Sequence, residues 1–249
     1  MPVDDVAARG FGAGAQAYEA ARPGYPDEAV TLLAEQVGIG PGTEVCDLAA
    51  GTGKLTRRLV ELGARVTAVE PVEAMRGQAA AAVPTATLLD GTAEAIPLDD
   101  GSVDVVTVAQ AFHWFDAPAA LVEIARVLRP AGRLAILWNE RDETMPWVAE
   151  MSRVIHWHER TVSRYQHTDW AAVVAAAGGF TPLAERVIRW EQPHTRAVLA
   201  DRVRSISYIA AMPTVERERH VSEVLALVAR RPEPFPLPYL CRVQWCQRT

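Results

Sequence analysis

The residues Val45-Cys46-Asp47-Leu48-Ala49-Ala50-Gly51-Thr52-Gly53 decide the fold of this chain. A short apolar run there ends in a carboxylate and turns through two glycines into a stretch with Leu55, Leu59 and Leu62 at helical spacing. Glycine lacks the Cβ that keeps a ligand away from the backbone. The N-terminus of the helix that follows offers free N–H donors to a carboxylate or a phosphate. The pattern therefore predicts a strand, a ligand-binding turn and a helix, in that order.

The same alternation continues outward from this unit. Over the first 140 residues, short β-branched runs alternate with amphipathic ones, which is typical of a parallel sheet wound with helices. The predicted strands are Thr43 to Leu48, Arg65 to Val69, Thr85 to Leu89, Val103 to Ala109, Arg133 to Trp138, Leu183 to Trp190 and Tyr239 to Cys246.

Helices are predicted between these strands, and they become longer beyond Trp138. The first two predicted helices are a segment after Pro26 that stops before Gly38 and a segment after Gly53 that ends at Gly63. The third is Pro118 to Leu128, which Pro130 and Gly132 end. The others are Trp147 to Tyr165, Trp170 to Ala177, Arg196 to Ala211 and Val215 to Arg230. The prolines at 232, 234, 236 and 238 predict a stiff connector before the last strand. We find no internal repeat and no linker between domains.

Composition and charge exclude several classes of protein. The 249 residues contain 25 lysines and arginines against 31 aspartates and glutamates, a formal net charge of −6, with no basic run longer than two residues. Nucleic-acid binding is therefore not expected. The chain has neither an apolar signal segment nor a stretch of about 18 apolar residues, so we expect a cytoplasmic protein that does not bind membranes. Three cysteines without zinc-like spacing, Cys46, Cys241 and Cys246, predict reduced thiols and no disulfide.

Glu70 follows the second predicted strand, 23 residues after Asp47. An acidic side chain at that place can accept hydrogen bonds from both hydroxyls of an adenosine ribose. A glycine turn alone is often only a tight connection. The two carboxylates on either side of this turn instead favour a ligand that carries a nucleoside.

Two other nucleotide-binding motifs fit the turn poorly. The dinucleotide fingerprint G-x-G-x-x-G would require a third glycine at Thr56, and its strand usually runs into glycine without a carboxylate like that of Asp47. A phosphate-binding P-loop would require glycine at Leu48 and serine or threonine at Leu55. A nicotinamide-dependent dehydrogenase is thus a weaker alternative, and nucleotide hydrolysis is excluded.

On these residues the chain resembles the class I S-adenosylmethionine-dependent methyltransferases, and within them a small-molecule subgroup similar to trans-aconitate methyltransferase-like proteins. Asp47 to Gly53 resembles the first motif of the family, and Ala68-Val69-Glu70-Pro71 resembles its acidic second motif. The resemblance covers nearly the whole chain. Further similar segments are Gly91 to Pro97, Ser102 to Val106, Ala109 to Phe115 and Val127 to Gly132, and those typical of the subgroup are Phe11 to Tyr18, Arg22 to Pro26 and Trp138 to Asp142.

The resemblance implies that S-adenosylmethionine is the cofactor. By this resemblance Asp47 holds the methionine ammonium, directly or through water, and Glu70 binds the ribose hydroxyls. Alanine at position 49, where the family has glycine, costs little if its φ is negative. The remaining implied contacts are Gly51 and Gly53 beside the methionine and ribose, Pro71 in the second motif, Thr92 and Ala93 beside the adenine, and Gln110 along the methionine arm.

Methyl transfer is an in-line displacement at a sulfonium, so the enzyme mainly aligns the reacting atoms and excludes water. Whether it needs a base depends on the acceptor, because a carboxylate attacks as it stands whereas a phenol or an amine loses a proton. His113, just after the fourth strand, is the candidate base, and it is also a candidate wall residue. The candidate acceptor-binding residues are Tyr18, Arg22, Tyr25, Trp114, Trp138, Asn139 and Arg141.

No metal site is expected, because His156-Trp157-His158-Glu159 lacks the H-E-x-x-H spacing. The resemblance implies a Rossmann-like, mostly parallel sheet of seven strands, with the last strand antiparallel, helices on both faces and helical cover elements. We expect a single methyltransferase domain with a cover segment at 1–30, a core at 31–192 and 232–249, and a helical insertion at 193–231. The expected reaction methylates a small-molecule acceptor, most readily at oxygen. The alternative is a protein that binds S-adenosylmethionine without transferring its methyl group.

Overall fold

A computed structural model describes residues 22–159 and 168–249 of the chain. Its strands are β1 (Glu44–Leu48), β2 (Arg65–Val69), β3 (Thr87–Leu89), β4 (Val103–Ala109), β5 (Leu128–Arg141), β6 (Ala184–His194) and β7 (Phe235–Gln247). They form one sheet in the order β3-β2-β1-β4-β5-β7-β6, in which β1 to β5 pair in parallel and β7 is antiparallel to both of its neighbours. The predicted seven-stranded, mostly parallel sheet is confirmed.

Helices cover both faces of the sheet, because the central strands are apolar on both sides and a parallel sheet of this kind needs two helical layers. The helices are α1 (Asp27–Leu32), α2 (Lys54–Glu61), α3 (Glu73–Ala82), α4 (Ala117–Val127), α5 (Pro146–Val154), α6 (Trp170–Ala177), α7 (Arg196–Arg204), α8 (Ser207–Ala210) and α9 (Thr214–Leu227). Leucines of α2, Leu55 and Leu59, pack on one face of the sheet. On the other face, Ile124 of α4 packs together with Val174 of α6.

Strands β6 and β7 extend past the edge at which β1 and β4 end. The pairing of β5 with β7 stops at Arg141 and Tyr239, whereas β7 and β6 remain paired as far as Phe235 and His194. Helices α5, α7 and α9 pack against this extension in a third apolar cluster that includes Leu237 of β7. The extension therefore rises, with its helical cover, above the carboxyl ends of the parallel strands. Ligands of open α/β sheets bind at this edge.

The predicted start of the last strand is wrong by four residues, and the prolines explain why. Proline has no N–H to donate, so it is expected at strand edges and not inside a sheet. Pro236 and Pro238 nevertheless lie in β7. They pair only with β6, because the pairing with β5 begins at Tyr239. The sheet has a free edge there, which tolerates proline.

Two predicted helices are interrupted in the structure. The segment predicted as Arg196 to Ala211 divides at Ser205 into α7 and α8, and the carbonyl of Ser205 accepts a hydrogen bond from Arg22. The segment predicted as Trp147 to Tyr165 ends as an α-helix at Val154 and is followed by a left-handed residue, His156. A short 3₁₀ turn follows at Trp157–Glu159, and residues 160–167 lie outside the described part of the chain.

Helix α3 was not predicted from the sequence, since its alanine-rich segment has little amphipathic pattern. Only Met75 and Ala79 of this helix are buried. Within the described residues, no helix combines the length and the apolar character needed to cross a membrane.

Candidate active site

The glycine turn after β1 leaves open space beside its backbone. Gly51 has φ +60°, a left-handed conformation that favours glycine, and a Cβ placed on it would meet no atom within 4 Å. Gly53 differs from this expectation. Its Cβ would lie 3.3 Å from Cβ of Ala79, so the lack of a side chain at Gly53 allows α2 and α3 to approach closely, and its implied contact with the cofactor stays a prediction. The backbone around Gly51 is open to a ligand.

Ala49 carries strain in the same turn. Its φ is +55°, in the left-handed region, whereas alanine would cost little at this place only if φ were negative. A non-glycine residue in this conformation costs roughly 1 to 2 kcal/mol. Gln110, at the end of β4, has φ +61°. Strained backbone at the ends of β1 and β4 marks the edge where the two strands lie side by side.

The Asp47 carboxylate is more enclosed than the sequence predicts. The residue is 1% exposed, and its oxygens accept hydrogen bonds from the hydroxyls of Thr56, at 2.6 Å, and Thr107, at 2.8 Å. Burial raises its pKa to about 6, against the lowering effect of the two hydroxyls. Direct contact with a ligand ammonium is therefore at odds with this geometry. The carboxylate can still act through its charge or through a water molecule.

Thr56 and Thr107 were not predicted as site residues. Thr56 stands where a dinucleotide fingerprint would have its third glycine. Thr107 is the one polar side chain in the Val105–Val108 segment of β4. A lone hydroxyl in an apolar strand next to a buried carboxylate is the signal that could have revealed this partnership.

Glu70 joins the end of β2 to the glycine turn. Its Oε2 accepts the backbone N–H of Gly51 at 2.8 Å, and its Oε1 accepts that of Val72 at 2.9 Å. The residue is 4% exposed, and burial raises the pKa of its carboxyl above the usual value. Each carboxylate oxygen retains a lone pair for a further donor. Arg76, which was not predicted, donates to the Glu70 carbonyl at 2.7 Å, and Pro71 between these residues is half-buried.

The loop after β3 is tightly packed around Gly91. A Cβ at Gly91 would lie 2.6 Å from Cδ of Pro97, so only glycine fits without a shift of the loop. Thr92 forms an isolated bridge with Ala95 and is exposed, whereas Ala93 is buried. The exposed position of Thr92 is compatible with the adenine contact that the resemblance implies, which stays a prediction.

Asn139 is a structural link and does not face an acceptor, which corrects one sequence-based prediction. Its Nδ2 donates to the Gly24 carbonyl at 2.7 Å, and its Oδ1 accepts from the Trp190 indole at 3.2 Å. The side-chain amide of Gln110 donates to the Asn139 carbonyl at 3.2 Å. Asn139 therefore ties β4, β5, β6 and the N-terminal segment, here residues 22–26, together at the carboxyl edge.

His113 lies in an aromatic group at the end of β4. Its ring centroid is 4.5 Å from that of Trp114 and 5.6 Å from that of Trp138. Burial, with a smaller contribution from the positive charge of Arg22, lowers the pKa of His113 to about 4. The imidazole is therefore neutral near pH 7 but only weakly basic, which disfavours the predicted role as a general base.

The two tryptophans of this group differ in exposure. Trp138 is 1% exposed and stacks on Trp170 at 5.8 Å, so it belongs to the core, and the prediction that it lines the acceptor site is wrong. Successive residues of a strand face opposite sides, and Trp138 points to the sheet face away from Asn139. Trp114 is 37% exposed and remains available at the edge.

The N-terminal segment crosses this edge. Arg22 donates to the Ser205 carbonyl at 3.3 Å, and Tyr25 packs against the apolar cluster of α1 and α2. Tyr18, predicted to bind the acceptor, lies outside the described residues. Arg141 is held by the protein, because its Nε donates to the Ser152 hydroxyl at 3.2 Å and its guanidinium lies 4.3 Å from the ring centroid of Trp157.

Metal-ligating side chains do not gather anywhere in residues 22–159 and 168–249, where no group of three or more His, Cys, Asp or Glu could hold an ion. Cys46, Cys241 and Cys246 are free and buried, and burial raises the pKa of each thiol.

Known proteins similar in sequence to this chain are methyltransferases. Residues 46–136 match the family model of a methyltransferase domain. A Mycobacterium tuberculosis protein named as an uncharacterised methyltransferase is 42% identical over 235 residues, which is 92% of each chain.

Solved structures share the fold. A protein from Anaeromyxobacter dehalogenans, described as a type II methyltransferase, has a TM-score of 0.63 and 25% identity, with 91% of this chain and 97% of that chain covered. Phosphoethanolamine N-methyltransferase 2 of Haemonchus contortus, solved with S-adenosylhomocysteine, has a TM-score of 0.59 and 14% identity, with coverage of 100% and 60%.

Proposed function

This chain belongs to the class I S-adenosylmethionine-dependent methyltransferases, and we propose that it methylates an oxygen atom of a small-molecule acceptor. The observation that carries the proposal is the bridge from Glu70 Oε2 to the Gly51 N–H, beside open space at Gly51. A carboxylate fixed against a glycine backbone suits a ligand that presents ribose hydroxyls.

The residues present fit S-adenosylmethionine, which when bound supplies an electrophilic methyl group on a sulfonium. Glu70 would accept hydrogen bonds from the ribose hydroxyls through its remaining lone pairs. Asp47, behind the turn, would favour the methionine ammonium through its charge. The backbone at Gln110 would line the methionine arm, and Thr92 with Ala93 would border the adenine.

The acceptor would bind above the carboxyl edge, beneath the N-terminal segment and the helices between β6 and β7. The contacts from Arg22 to Ser205 and from Asn139 to Gly24 support this placement. They also support the proposed division of the chain, in which residues 1–30 and 193–231 cover the core. We also propose a cytoplasmic location, which an odd number of unpaired cysteines suits.

The weak basicity of His113 bears on the acceptor atom. A neutral alcohol must lose its proton to a base as its oxygen attacks, whereas an oxygen that is already ionised attacks directly. We therefore propose an acceptor oxygen that is already anionic or readily ionised. Trp114, beside His113, would exclude water from the reacting atoms.

The test has two parts. Calorimetry with S-adenosylhomocysteine should show binding to the wild-type protein and a loss of about 10- to 100-fold in affinity for Glu70→Gln, since a charged acceptor is removed. Glu73→Gln, three residues further on and exposed, is the matched control and should leave the affinity unchanged.

The second part is transfer. The protein is incubated with methyl-labelled S-adenosylmethionine and a metabolite extract, and label is sought in small molecules. Label in an ester or ether supports the proposal. Binding of the cofactor without any transfer would instead indicate a protein that only binds it, and an absence of binding at millimolar ligand would defeat the whole assignment.

A further inference from the structure

The guanidinium of Arg76 joins the ends of two strands at the carboxyl edge. Arg76 lies near the start of α3, and its Nη1 donates to the carbonyl of Glu70, the residue after β2, at 2.7 Å. The same nitrogen lies 3.3 Å from Oδ1 of Asp90, the residue after β3, and only 21% of the arginine side chain is exposed. Arg76 therefore fixes the ends of β2 and β3 relative to each other.

Arg76 also completes the hydrogen bonds of Glu70. The Glu70 N–H donates to the Leu89 carbonyl at 3.0 Å, and the carboxylate accepts the N–H groups of Gly51 and Val72. These three partners are backbone groups, which a substitution does not remove. The carbonyl is the remaining polar group, and its donor is the side chain of Arg76. Because a buried acceptor without a donor is costly, we expect Glu70 to shift when Arg76 is removed.

The charge of Arg76 acts on the Glu70 carboxylate. Burial raises the pKa of Glu70 most, and the two backbone hydrogen bonds lower it. The positive charge of Arg76 lowers the pKa by less, and the negative charge of Asp90 raises it. Asp47 is a third acidic group at this edge, and the charge of Glu70 raises its pKa. A cation among these carboxylates favours the ionised form of Glu70, which is the stronger acceptor for a hydroxyl.

Asp90 orients the guanidinium and begins the loop that is predicted to contact the adenine. The Asp90 side chain is 71% exposed, so its ion pair contributes little to stability by itself. Gly91 and Thr92 follow it, and a Cβ at Gly91 would lie 3.0 Å from Cγ1 of Val69, the last residue of β2. The two strand ends are thus packed together, and Arg76 spans the residues implied for the ribose and for the adenine.

We propose that Arg76 is a positioning residue for the ribose of S-adenosylmethionine. It would not touch the cofactor and would act through Glu70, whose carboxylate it holds in place and ionised for the two ribose hydroxyls. This role rests on the proposed function of Glu70 and adds the side chain on which that function depends. A purely structural arginine would affect every cofactor analogue equally, whereas a positioning arginine affects only those that carry the hydroxyls.

The test uses the full chain and two ligands, S-adenosylhomocysteine and its 2′,3′-dideoxy analogue, which lacks both ribose hydroxyls. Calorimetry gives the affinity of each protein variant for both ligands, and the ratio of the two affinities measures the contribution of the hydroxyls. We expect the wild-type protein to bind S-adenosylhomocysteine about 10- to 100-fold more tightly than the analogue, because the analogue cannot donate to the charged carboxylate.

Arg76→Met removes the charge and the donors and keeps an apolar side chain. It should reduce the affinity for S-adenosylhomocysteine by about tenfold and leave the affinity for the dideoxy analogue unchanged. Arg76→Lys keeps a charge and a donor but loses the planar fork, and it is the milder change should Arg76→Met fail to fold. It should lower the ratio by a smaller factor, again without weakening the analogue.

Arg58→Met is the matched control. Arg58 lies in α2, its side chain is partly buried, and it pairs with exposed Asp27 as Arg76 pairs with exposed Asp90. Its removal should leave both affinities unchanged. In the Glu70→Gln background, Arg76→Met should lower the ratio by less than about twofold, because the charged group through which the arginine acts is already absent.

Three results would overturn the role of Arg76: a parallel loss of affinity for both ligands in either Arg76 variant, a wild-type ratio in Arg76→Met, or the full effect of Arg76→Met in the Glu70→Gln background. Each leaves the proposed role of Glu70 standing if Glu70→Gln alone lowers the ratio. Equal binding of the two ligands by the wild-type protein would instead defeat the role of Glu70, and the transfer of labelled methyl groups tests the proposed reaction separately.

Discussion

Ala49 shows how a single residue stores strain beside a ligand site. Its φ of +55° costs an alanine roughly 1 to 2 kcal/mol, and glycine would remove this cost while losing about 0.5 to 1 kcal/mol to chain entropy. We expect Ala49→Gly to raise the free energy of unfolding in urea by about 0.5 to 1 kcal/mol. Ala50→Gly, whose position has no positive φ, should lower it by a similar amount. Equal effects of the two substitutions would contradict the strain.

Asp47 should make the folded protein more stable as pH falls, which is the opposite of the usual effect of a carboxylate. Its folded pKa of about 6 lies above its ordinary value of 3.8, so the ionised form is disfavoured by folding. Between these two values the folded state holds a proton that the unfolded state has lost, and stability therefore rises as pH falls from about 6 to about 4. Asp47→Asn removes the buried charge. It should be more stable than wild type by about 3 kcal/mol above pH 7, a difference that fades below pH 4.

Unfolding in denaturant at several pH values measures this difference. Subtracting the free energy of unfolding of Asp47→Asn from that of the wild-type protein removes the contributions of the other titrating groups. Binding supplies a second readout. S-adenosylhomocysteine should bind the wild-type protein more tightly as pH rises through 6, because only the ionised carboxylate attracts an ammonium. A pH-independent difference in stability would show that Asp47 is not the titrating group.

His113 should behave as a wall residue. With a pKa of about 4 it has little driving force to accept a proton at pH 7, so we expect His113→Gln to lower kcat by less than about threefold. His158→Gln, an exposed histidine paired with Glu143, is the control and should have no effect. A loss of about 10²-fold, together with a changed pH profile, would restore the role of general base.

At the scale of elements, the sequence predicts the first βαβ unit and the central strands well. β2 and β4 have the bounds that their β-branched runs predict, since a buried parallel strand leaves a continuous apolar signal. The β6–β7 extension was underestimated at both strands. The length of each strand there depends on where its neighbouring strands end, and the sequence pattern of one strand does not show where another strand ends. A proline that lies in a strand with a free edge cannot be told from a proline of a connector by sequence alone.

The site divides in the same way. Local motifs identify Asp47, Gly51 and Glu70, because a turn and the two strand ends beside it are encoded by short segments. The roles of Trp138 and Asn139 depend on the face of β5 to which each points and on partners far away in the chain. Trp138 therefore lies in the core and Asn139 binds Gly24 and Trp190, although both were predicted to face the acceptor.

Asn139 gives a test at the element scale. Asn139→Ala would remove two side-chain hydrogen bonds that tie the N-terminal segment to β5 and β6, a loss of about 2 kcal/mol. We expect faster protease cleavage around residues 22–26 and a lower free energy of unfolding. Glu191→Ala, at the exposed position next to Trp190, should change neither. Unaltered cleavage in Asn139→Ala would mean that the segment is held by other contacts.

At the scale of the whole molecule, two apolar clusters pack on the central sheet and a third packs beneath the helical cover. The central strands β1, β4 and β5 are paired on both sides and buried on both faces, whereas α7 and α9 cover only the β6–β7 extension. Local opening takes less free energy where fewer elements pack together. The cover should therefore open without the sheet, which lets an acceptor enter while the cofactor turn stays ordered.

Hydrogen exchange measures this difference directly. Amides of β1, β4 and β5 should exchange only through global unfolding, and those of α7 and α9 through an opening of lower free energy. S-adenosylhomocysteine should slow exchange at residues 49–53 and 70–72 and leave α7 unchanged. Uniform protection of the sheet and the cover, or protection of α7 by the cofactor product alone, would show that the molecule opens as a single unit.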